Sequence, residues 1–301
     1  MTKYDTINTK WTSYKEFIMT VKLIVIDLDE TLLRKDKSYD VERFNHALQT
    51  LKNRDVLVCI ATGNSYHKII DYFSQEDQKD LYFACDNGNF IVKNNEELST
   101  TTVDRETLYN IASFVDEFEG FHIMVNTGNQ AYFRETKGEA FEHISQYNNA
   151  LAYIEKFEDL PEGEKPTKLA IYSTHSLDRN KIMTRILKER FEDIDSVTSG
   201  DGWLDVYAKD GGKGIAVRKL QAKYNIKKED TMAFGDSLND ESMMKEAHYN
   251  IAMGNADHDL LLSTTYQIGT NEDSSVINLL EELLSNDSME FMNKYLIHKK
   301  R

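Results

Sequence analysis

Three short apolar runs in this chain end abruptly in polar residues: KLIVIDLD, DVLVCIATGN and LYFACDNG. Each is rich in β-branched residues and none alternates, the pattern of parallel strands covered on both faces. Between the first two lies VERFNHALQTLKNR, and between the next two SYHKIIDYFSQEDQKD; both carry apolar residues at helical spacing. Strand–helix–strand repetition predicts a doubly wound α/β core, a Rossmann-like parallel sheet with right-handed crossovers.

The pattern changes after Asn87-Gly88. VDRETLYNIASFVDEF reads as a helix, and FHIMVNTGNQAYFRE as a hairpin turning at Gly128-Asn129. A helix from about Lys137 to Tyr147, the loop PEGEKP, the strand KLAIYS, the helix LDRNKIMTRILKERF and a hairpin turning near Gly200-Asp201-Gly202 follow. The strand–helix repeat then resumes with GIAVRKLQAKYN, DTMAFGD, SLNDESMMKEA, YNIAMGNA and VINLLEELLSN. The predicted organisation is a core over 19–87 and 196–301, split by an α+β insert over 88–195. Residues 1–18 form an extension ahead of Met19, itself a candidate start.

Charge sharpens the functional question. Lys+Arg 36 against Asp+Glu 51 leave a net charge of -15, a field that repels nucleic acid and anionic lipid as partners. It repels a phosphorylated ligand equally, unless a metal or local lysines supply a cationic centre. The two cysteines, Cys59 and Cys85, sit in apolar segments and read as packed thiols rather than a disulfide framework. No apolar run reaches the ~18 residues of a membrane helix, and no apolar signal core precedes the first strand, so the cytoplasm is the expected location.

Ligand sites of open α/β sheets lie beyond the carboxyl ends of the strands. The first strand delivers Asp27 and Asp29 there, the second Thr62-Gly63-Asn64 and the third Asp86-Asn87-Gly88. The strand near Met232 delivers Gly235-Asp236-Ser237, with Asn239 and Asp240 opening the next helix, and that near Asn250 delivers Met253-Gly254-Asn255. Lys213 begins a helix after Gly211-Gly212. Two carboxylates one residue apart, with a third across the edge, form a hard oxygen site suited to Mg²⁺. Asp27 is then placed to attack phosphorus, and Asp29 to protonate the leaving alcohol and activate a water. Thr62 and Lys213 suit the equatorial oxygens of a phosphoryl group, Asp236 the metal, and Asn239 or Asp240 either one. Singly, each piece has a plain structural reading as a turn, a cap or a surface lysine; their joint order at neighbouring strand ends does not.

Other constellations fail. Asp27-x-Asp29-x-Thr31 starts like an EF-hand loop, but Leu32 stands where that loop needs glycine. The eight histidines show no metal-ligand spacing and read mostly as surface residues, His67 and His175 among them. Met243-Met244 reads as packing.

With these motifs the chain resembles the haloacid dehalogenase superfamily, in its Cof-type sugar-phosphatase branch with a class IIB cap. The matching segments are Asp27-Leu28-Asp29-Glu30-Thr31-Leu32, Ala61-Thr62-Gly63-Asn64, Lys213-Gly214, Gly235-Asp236-Ser237-Leu238-Asn239-Asp240 and Ala252-Met253-Gly254-Asn255-Ala256. The likeness runs from about Val21 to about Leu284 and departs at Glu30, where this branch usually has glycine. It implies a nucleophile at Asp27, an acid/base at Asp29, and Mg²⁺ on Asp27, the Asp29 main-chain carbonyl and Asp236. It also implies phosphate held by Leu28 and Gly63 main-chain groups with Thr62, Lys213 and Asn239. The aromatics after Ala-Thr-Gly-Asn (Tyr66, Tyr72, Phe73) resemble those of broad-specificity sugar phosphatases. A phosphosugar mutase and a non-catalytic sugar-phosphate sensor are the alternatives on the same fold. The insert is expected to cover the site as a lid and contact the leaving group, with Asn126 and Asn129 as the candidates.

Overall fold

The computed structural model describes residues 21–146, 148, 151–198 and 202–297. The extension at 1–18, Met19, Tyr147 and the turn at Gly200-Asp201 lie outside them. The strands in chain order are β1 (Leu23–Asp27), β2 (Leu57–Ala61), β3 (Leu81–Cys85), β4 (Phe90–Lys93), β5 (Glu96–Thr100), β6 (Phe121–Asn126) and β7 (Ala131–Phe133). They continue with β8 (Leu151–Tyr153), β9 (Lys168–Ser173), β10 (Ile194–Thr198), β11 (Trp203–Ala208), β12 (Thr231–Gly235), β13 (Tyr249–Ala252) and β14 (Tyr266–Gln267).

The first sheet runs β14-β13-β12-β1-β2-β3-β4-β5. From β14 to β3 every pairing is parallel. β1 is buried along its whole length, and its side chains alternate between two apolar layers. Ile24 and Ile26 pack with Phe44, Leu48 and Leu51 of the helix Val41–Asn53 and with Val276, Leu279 and Leu280 of the helix Ser275–Ser285. Leu23 and Val25 pack with Ala216, Val217 and Leu220 of the helix Lys213–Tyr224, and with Met243 and Met244. Helices thus cover both faces, which is why the strand sequences do not alternate. Cys59 and Cys85 are buried free thiols.

The second sheet runs β10-β11-β9-β6-β7-β8 and is antiparallel except between β7 and β8. One face packs on the helices Arg105–Val115 and Leu177–Arg190. The other carries Met124, Ala131, Phe133 and Ala170 against the helix Glu139–Gln146.

Two boundaries differ from those expected at residues 88 and 195. β4 and β5 extend the first sheet as an antiparallel hairpin, so the chain leaves that sheet only after Thr100. Its turn is Asn94-Asn95, both residues at positive φ (51 and 61), a conformation that asparagine tolerates and that suits the twist of a tight hairpin. β10 and β11 belong to the second sheet, not to the core from 196 onward. Leu204 and Val206 pair in register with Ile171 and Leu169 and bury in the same apolar cluster, which holds them there.

The segment 65–80 also differs from the single helix that its spacing predicts. It splits into Tyr66–Ile69, a 3₁₀ turn at Ile70–Tyr72, and Gln75–Asp80. Phe73 is extended so that its ring enters the core, Ser74 caps the new helix through Asp77 N, and Gln78 Nε2 donates to the carbonyls of Ile70 and Phe73. No helix among the described residues is long and apolar enough to cross a membrane.

Because Leu204 is fully buried in the second sheet's cluster, Leu204→Ala is expected to cost about 2–5 kcal/mol in urea denaturation. A loss below about 1 kcal/mol would show that β11 does not hold that core together.

Candidate active site

Asp27 is the last residue of β1, and the backbone after it turns back sharply. Leu28 O accepts from Leu32 N (3.1 Å) and Leu33 N (2.8 Å), and Glu30 takes a left-handed φ of 56. Glycine adopts that conformation without strain, and a residue with a side chain does so only at some cost. Glu30 holds it with help from across the sheet: Asn255 Nδ2 donates to its carbonyl (2.9 Å) and Asn271 Nδ2 to its carboxylate (3.3 Å). The Leu28 side chain is buried in the core, so only its main chain can serve the site.

Asp27 is 6% exposed, and Lys213 Nζ lies 2.5 Å from its Oδ1 and 2.5 Å from Asp240 Oδ1. Lys213 starts its helix from Gly212, whose φ of 97 sets the entry angle, and it is completely buried. Asp240 Oδ2 accepts from Asp236 N (3.0 Å) and Ser237 N (3.1 Å), which closes the turn after β12. A Cβ on Gly235 would lie 2.5 Å from that oxygen, so the turn requires glycine. Thr31 Oγ1 donates to Asp236 Oδ1 (3.0 Å). Carboxylate oxygens of Asp27, Asp236 and Asp240 all lie within 4.8 Å of one another.

Three carboxylates against one ammonium leave the cluster with an excess of negative charge in a poorly solvated place. Burial first, then the Asp240 and Asp236 charges, push the Asp27 carboxyl well above its ordinary range despite Lys213. Asp236 is pushed up to about 7, by burial and then by Asp240. Burial acts against the Lys213 ammonium, but Asp240 and Asp27 outweigh it and keep the amine charged. Hard oxygen donors with surplus charge fit a divalent cation, with Asp27 and Asp236 as side-chain donors. Both oxygens of Asp240 are engaged already, which suits positioning rather than ligation.

Asp29 stands apart from this cluster and is more exposed. Its Oδ1 accepts from Lys37 Nζ (2.7 Å) and its Oδ2 from Asn64 Nδ2 (2.5 Å), while Lys68 Nζ holds Asn64 Oδ1 (2.7 Å). Thr62 is buried and its Oγ1 accepts from Asn64 N (3.1 Å), leaving the hydroxyl proton to donate elsewhere. Asn239 accepts from Ser237 Oγ (2.6 Å) and donates to Asn87 Oδ1 (3.5 Å).

A cavity of about 510 Å³ opens over these groups, lined by Asp27, Asp29, Thr62, Gly63, Asp236 and Asn239 from the first sheet's edge. The second sheet and its helix supply the opposite wall, including Met124, Asn126, His143, Lys168, Trp203 and Asp205. Buried polar bonds join the two sides. Asp86 accepts from Asn126 Nδ2 (2.8 Å) and Thr167 Oγ1 (2.8 Å), and Asn87 Nδ2 donates to Asp205 Oδ2 (2.7 Å). Lys168 Nζ bonds Gly63 O (2.6 Å) and pairs with Asp205 Oδ1 (3.0 Å).

The structure therefore brings Asp27, Asp236, Asp240 and Lys213 into one buried cluster. Asp29, Thr62, Gly63 and Asn239 lie around it on the cavity wall. Lys213 and Asp240 lie beneath that wall rather than on it. Of the expected leaving-group contacts, Asn126 lines the cavity; Asn129 is exposed elsewhere. Tyr72 lines it, whereas Tyr66 and Phe73 are core residues. The histidines were expected mostly on the surface, yet His143 faces the cavity, because its helix lies along the second sheet's inner face. Lys37, Lys168 and Asp205 were missed. The signal for Asp205 was an acid inside the apolar strand WLDVYA, since a carboxylate is rarely buried without a partner.

A doubly wound α/β core with an aspartate cluster at its carboxyl edge and an inserted second sheet defines a hydrolase class. Residues 24–280 match the sequence model of the haloacid dehalogenase-like hydrolases. The chain belongs to that family, and it is a phosphatase. The 5-amino-6-(5-phospho-D-ribitylamino)uracil phosphatase YbjI of Escherichia coli is 24% identical over 276 residues, covering 90% of this chain and 98% of that one. Among solved structures, SMU.1108c of Streptococcus mutans superposes with a TM-score of 0.82 at 27% identity, covering 88% of this chain and 100% of that one. The subclass IIB sugar phosphatase BT4131 shares the fold, with a TM-score of 0.73 at 18% identity over 87% of this chain and 98% of that one.

Because a divalent cation competes with the proton on Asp236, its binding should strengthen as pH rises through about 7. Without the cation, a carboxyl pKa raised above its unfolded value favours the fold below that window, and stability is lost as pH rises through it. At fixed cation concentration, the rise in Tm should be larger at pH 8 than at pH 6; an equal or smaller rise at pH 8 would refute the assignment.

Proposed function

We propose that this phosphatase is a Mg²⁺-dependent phosphomonoester hydrolase of small phosphorylated metabolites, sugar phosphates among them, working through an aspartyl-phosphate on Asp27. The observation that carries this reading is the cluster of buried Asp27, Lys213 and Asp240 with half-buried Asp236, which opens into the cavity facing the second sheet, with Asp29 at its side. The relatives, a phosphoribitylaminouracil phosphatase and a sugar phosphatase, support the substrate class.

In the first step an Asp27 carboxylate oxygen attacks phosphorus, the P–O bond to the alcohol breaks, and protonated Asp29 gives its proton to the departing oxygen. Asp29, now a carboxylate, takes a proton from water; the hydroxide oxygen attacks the phosphorus, and Asp27 departs as a free carboxylate with release of phosphate. Lys37 and Asn64 each hold one oxygen of the Asp29 carboxyl and so fix its orientation beside Asp27. Thr62 donates its hydroxyl proton to the phosphoryl group, aided by the Leu28 and Gly63 N–H groups and the Asn239 amide. Lys213 holds Asp27 in line from beneath, and Asp240 holds Lys213. Mg²⁺, held by Asp27, Asp236 and the Asp29 main-chain carbonyl, would offset the charge that the cluster and the phosphate share.

A panel of sugar phosphates, nucleotides and p-nitrophenyl phosphate, with Mg²⁺ or chelator, tests the proposal. Asp27→Asn should fall to background, and chelator should abolish turnover that Mg²⁺ restores. Asp29→Asn should lower kcat by about 10²–10⁴-fold. Turnover that survives chelation, or an active Asp27→Asn protein, would overturn the mechanism.

Lys213→Met leaves Asp27 and Asp240 buried without their shared cation, the arrangement in which a broken buried pair costs about 3–5 kcal/mol. A large fall in Tm that Asp240→Asn in the same chain partly reverses is expected; unchanged thermal stability would contradict the pairing.

A further inference from the structure

In the proposed reaction the Thr62 hydroxyl faces the phosphoryl group, and a residue of the second sheet governs how it points. Lys168, the first residue of β9, donates from Nζ to Gly63 O (2.6 Å). The same peptide unit carries Asn64 N, which donates to Thr62 Oγ1 (3.1 Å). A trans peptide is planar, so its C=O and N–H point in opposite directions and cannot turn independently. By fixing the carbonyl, Lys168 therefore aims the N–H that occupies a lone pair of Thr62. The hydroxyl proton is left to point at the phosphoryl group, and a charged donor on the carbonyl polarises the N–H further.

Lys168 is itself held in place. Asp205, on β11, pairs with its Nζ through Oδ1 (3.0 Å) and accepts from Asn87 Nδ2 through Oδ2 (2.7 Å). The fit around the loop is close: a Cβ on Gly63 would lie 3.2 Å from Asn87 Oδ1 and 3.7 Å from Asp205 Oδ2. The ion pair is only 5% and 2% exposed. A buried pair often stabilises a fold no better than apolar residues of the same volume, so stability alone does not call for one here.

We propose that Lys168 is a positioning residue of the phosphate site: held by Asp205, it orients the Thr62 hydroxyl through the Gly63-Asn64 peptide. Turnover then depends on the second sheet whatever alcohol is bound. This inference rests on the phosphatase reading above, which puts the phosphate at Asp27 beside Thr62.

Lys168→Met alone would leave Asp205 charged and buried without its partner. The informative variant is Lys168→Met/Asp205→Asn, which removes both charges and keeps an acceptor for Asn87. Substrates are p-nitrophenyl phosphate, glycerol 3-phosphate and glucose 6-phosphate, with Mg²⁺ present. The double variant should lower kcat on each by roughly 10²-fold, the cost of a slightly misplaced group, and by factors agreeing within about threefold. The fall should lie in kcat rather than KM, because the oriented hydroxyl acts on charge that develops in the transition state. In a Thr62→Val background, which lacks that hydroxyl, the same two substitutions should lower kcat by less than about threefold.

As a measurement independent of turnover, orthovanadate, a mimic of five-coordinate phosphorus, should raise the wild-type Tm more than that of the double variant. Unchanged kcat, or a fall that persists in full in the Thr62→Val background, would overturn the positioning role and leave the phosphatase reading intact. A fall confined to the sugar phosphate would do the same, because Lys168 would then be a contact of the leaving group. No turnover of any of the three by the wild type, with the vanadate difference present, would overturn the phosphatase reading instead; with that difference missing too, both fall.

Discussion

Three carboxylates and one ammonium share a buried space at the carboxyl edge of the first sheet, and much of the surrounding structure serves to keep them there. Lys213 touches Asp27 and Asp240 at equal distances, so neither carboxylate can move without exposing an unbalanced charge to a poorly polar interior. Asp240 then ties the cluster to the backbone through two amide hydrogen bonds in the turn after β12. The glycine of that turn is fixed by the same oxygen, and the Asp236 side chain is fixed by Thr31 from the turn after β1. The two central strands are therefore bound at their ends by the site as well as along their lengths by the sheet. An excess of negative charge persists after all these contacts, which is the physical reason the cluster suits a cation and a phosphate together.

The second sheet is joined to this edge by polar groups that are themselves buried. Asp86 and Asn87 stand at the end of β3 with left-handed backbones, and they bond to Asn126, Thr167 and Asp205 of the opposite side. Such bonds are worth little when water can replace them and a great deal when it cannot. Their burial fixes how the wall with Trp203 and His143 sits above Asp27. The shape of the cavity above Asp27 thus follows from a network that does not itself include Asp27.

Much of the fold was readable in the chain because it rests on local physics. Continuous β-branched runs announce strands covered on both faces, and the order of carboxylate, hydroxyl, lysine and carboxylate at successive strand ends announced the cluster. Other features were not local. β10 and β11 look like any amphipathic hairpin, and only pairing with β9 assigns them to the second sheet. The hairpin of β4 and β5 was overlooked although Asn94-Asn95 marked its turn, because its second strand, EELST, carries almost no apolar signal. The helix expected over 65–80 breaks because burying Phe73 outweighs two turns of regular hydrogen bonding.

For the site, the sequence by itself determined which residues carry charge and which strand ends present them, since a strand of known direction delivers its last residues to a known edge. It could not determine that Lys213 lies beneath Asp27 rather than on the cavity wall. Nor could it determine that Asn64 and Lys37 hold Asp29, or that His143 and Trp203 meet over Tyr172. Those contacts join residues far apart in the chain, and their distances depend on how two sheets pack against one another. Periodicity reports which face of an element is buried, but not what is buried against it, and that was left to the tertiary structure.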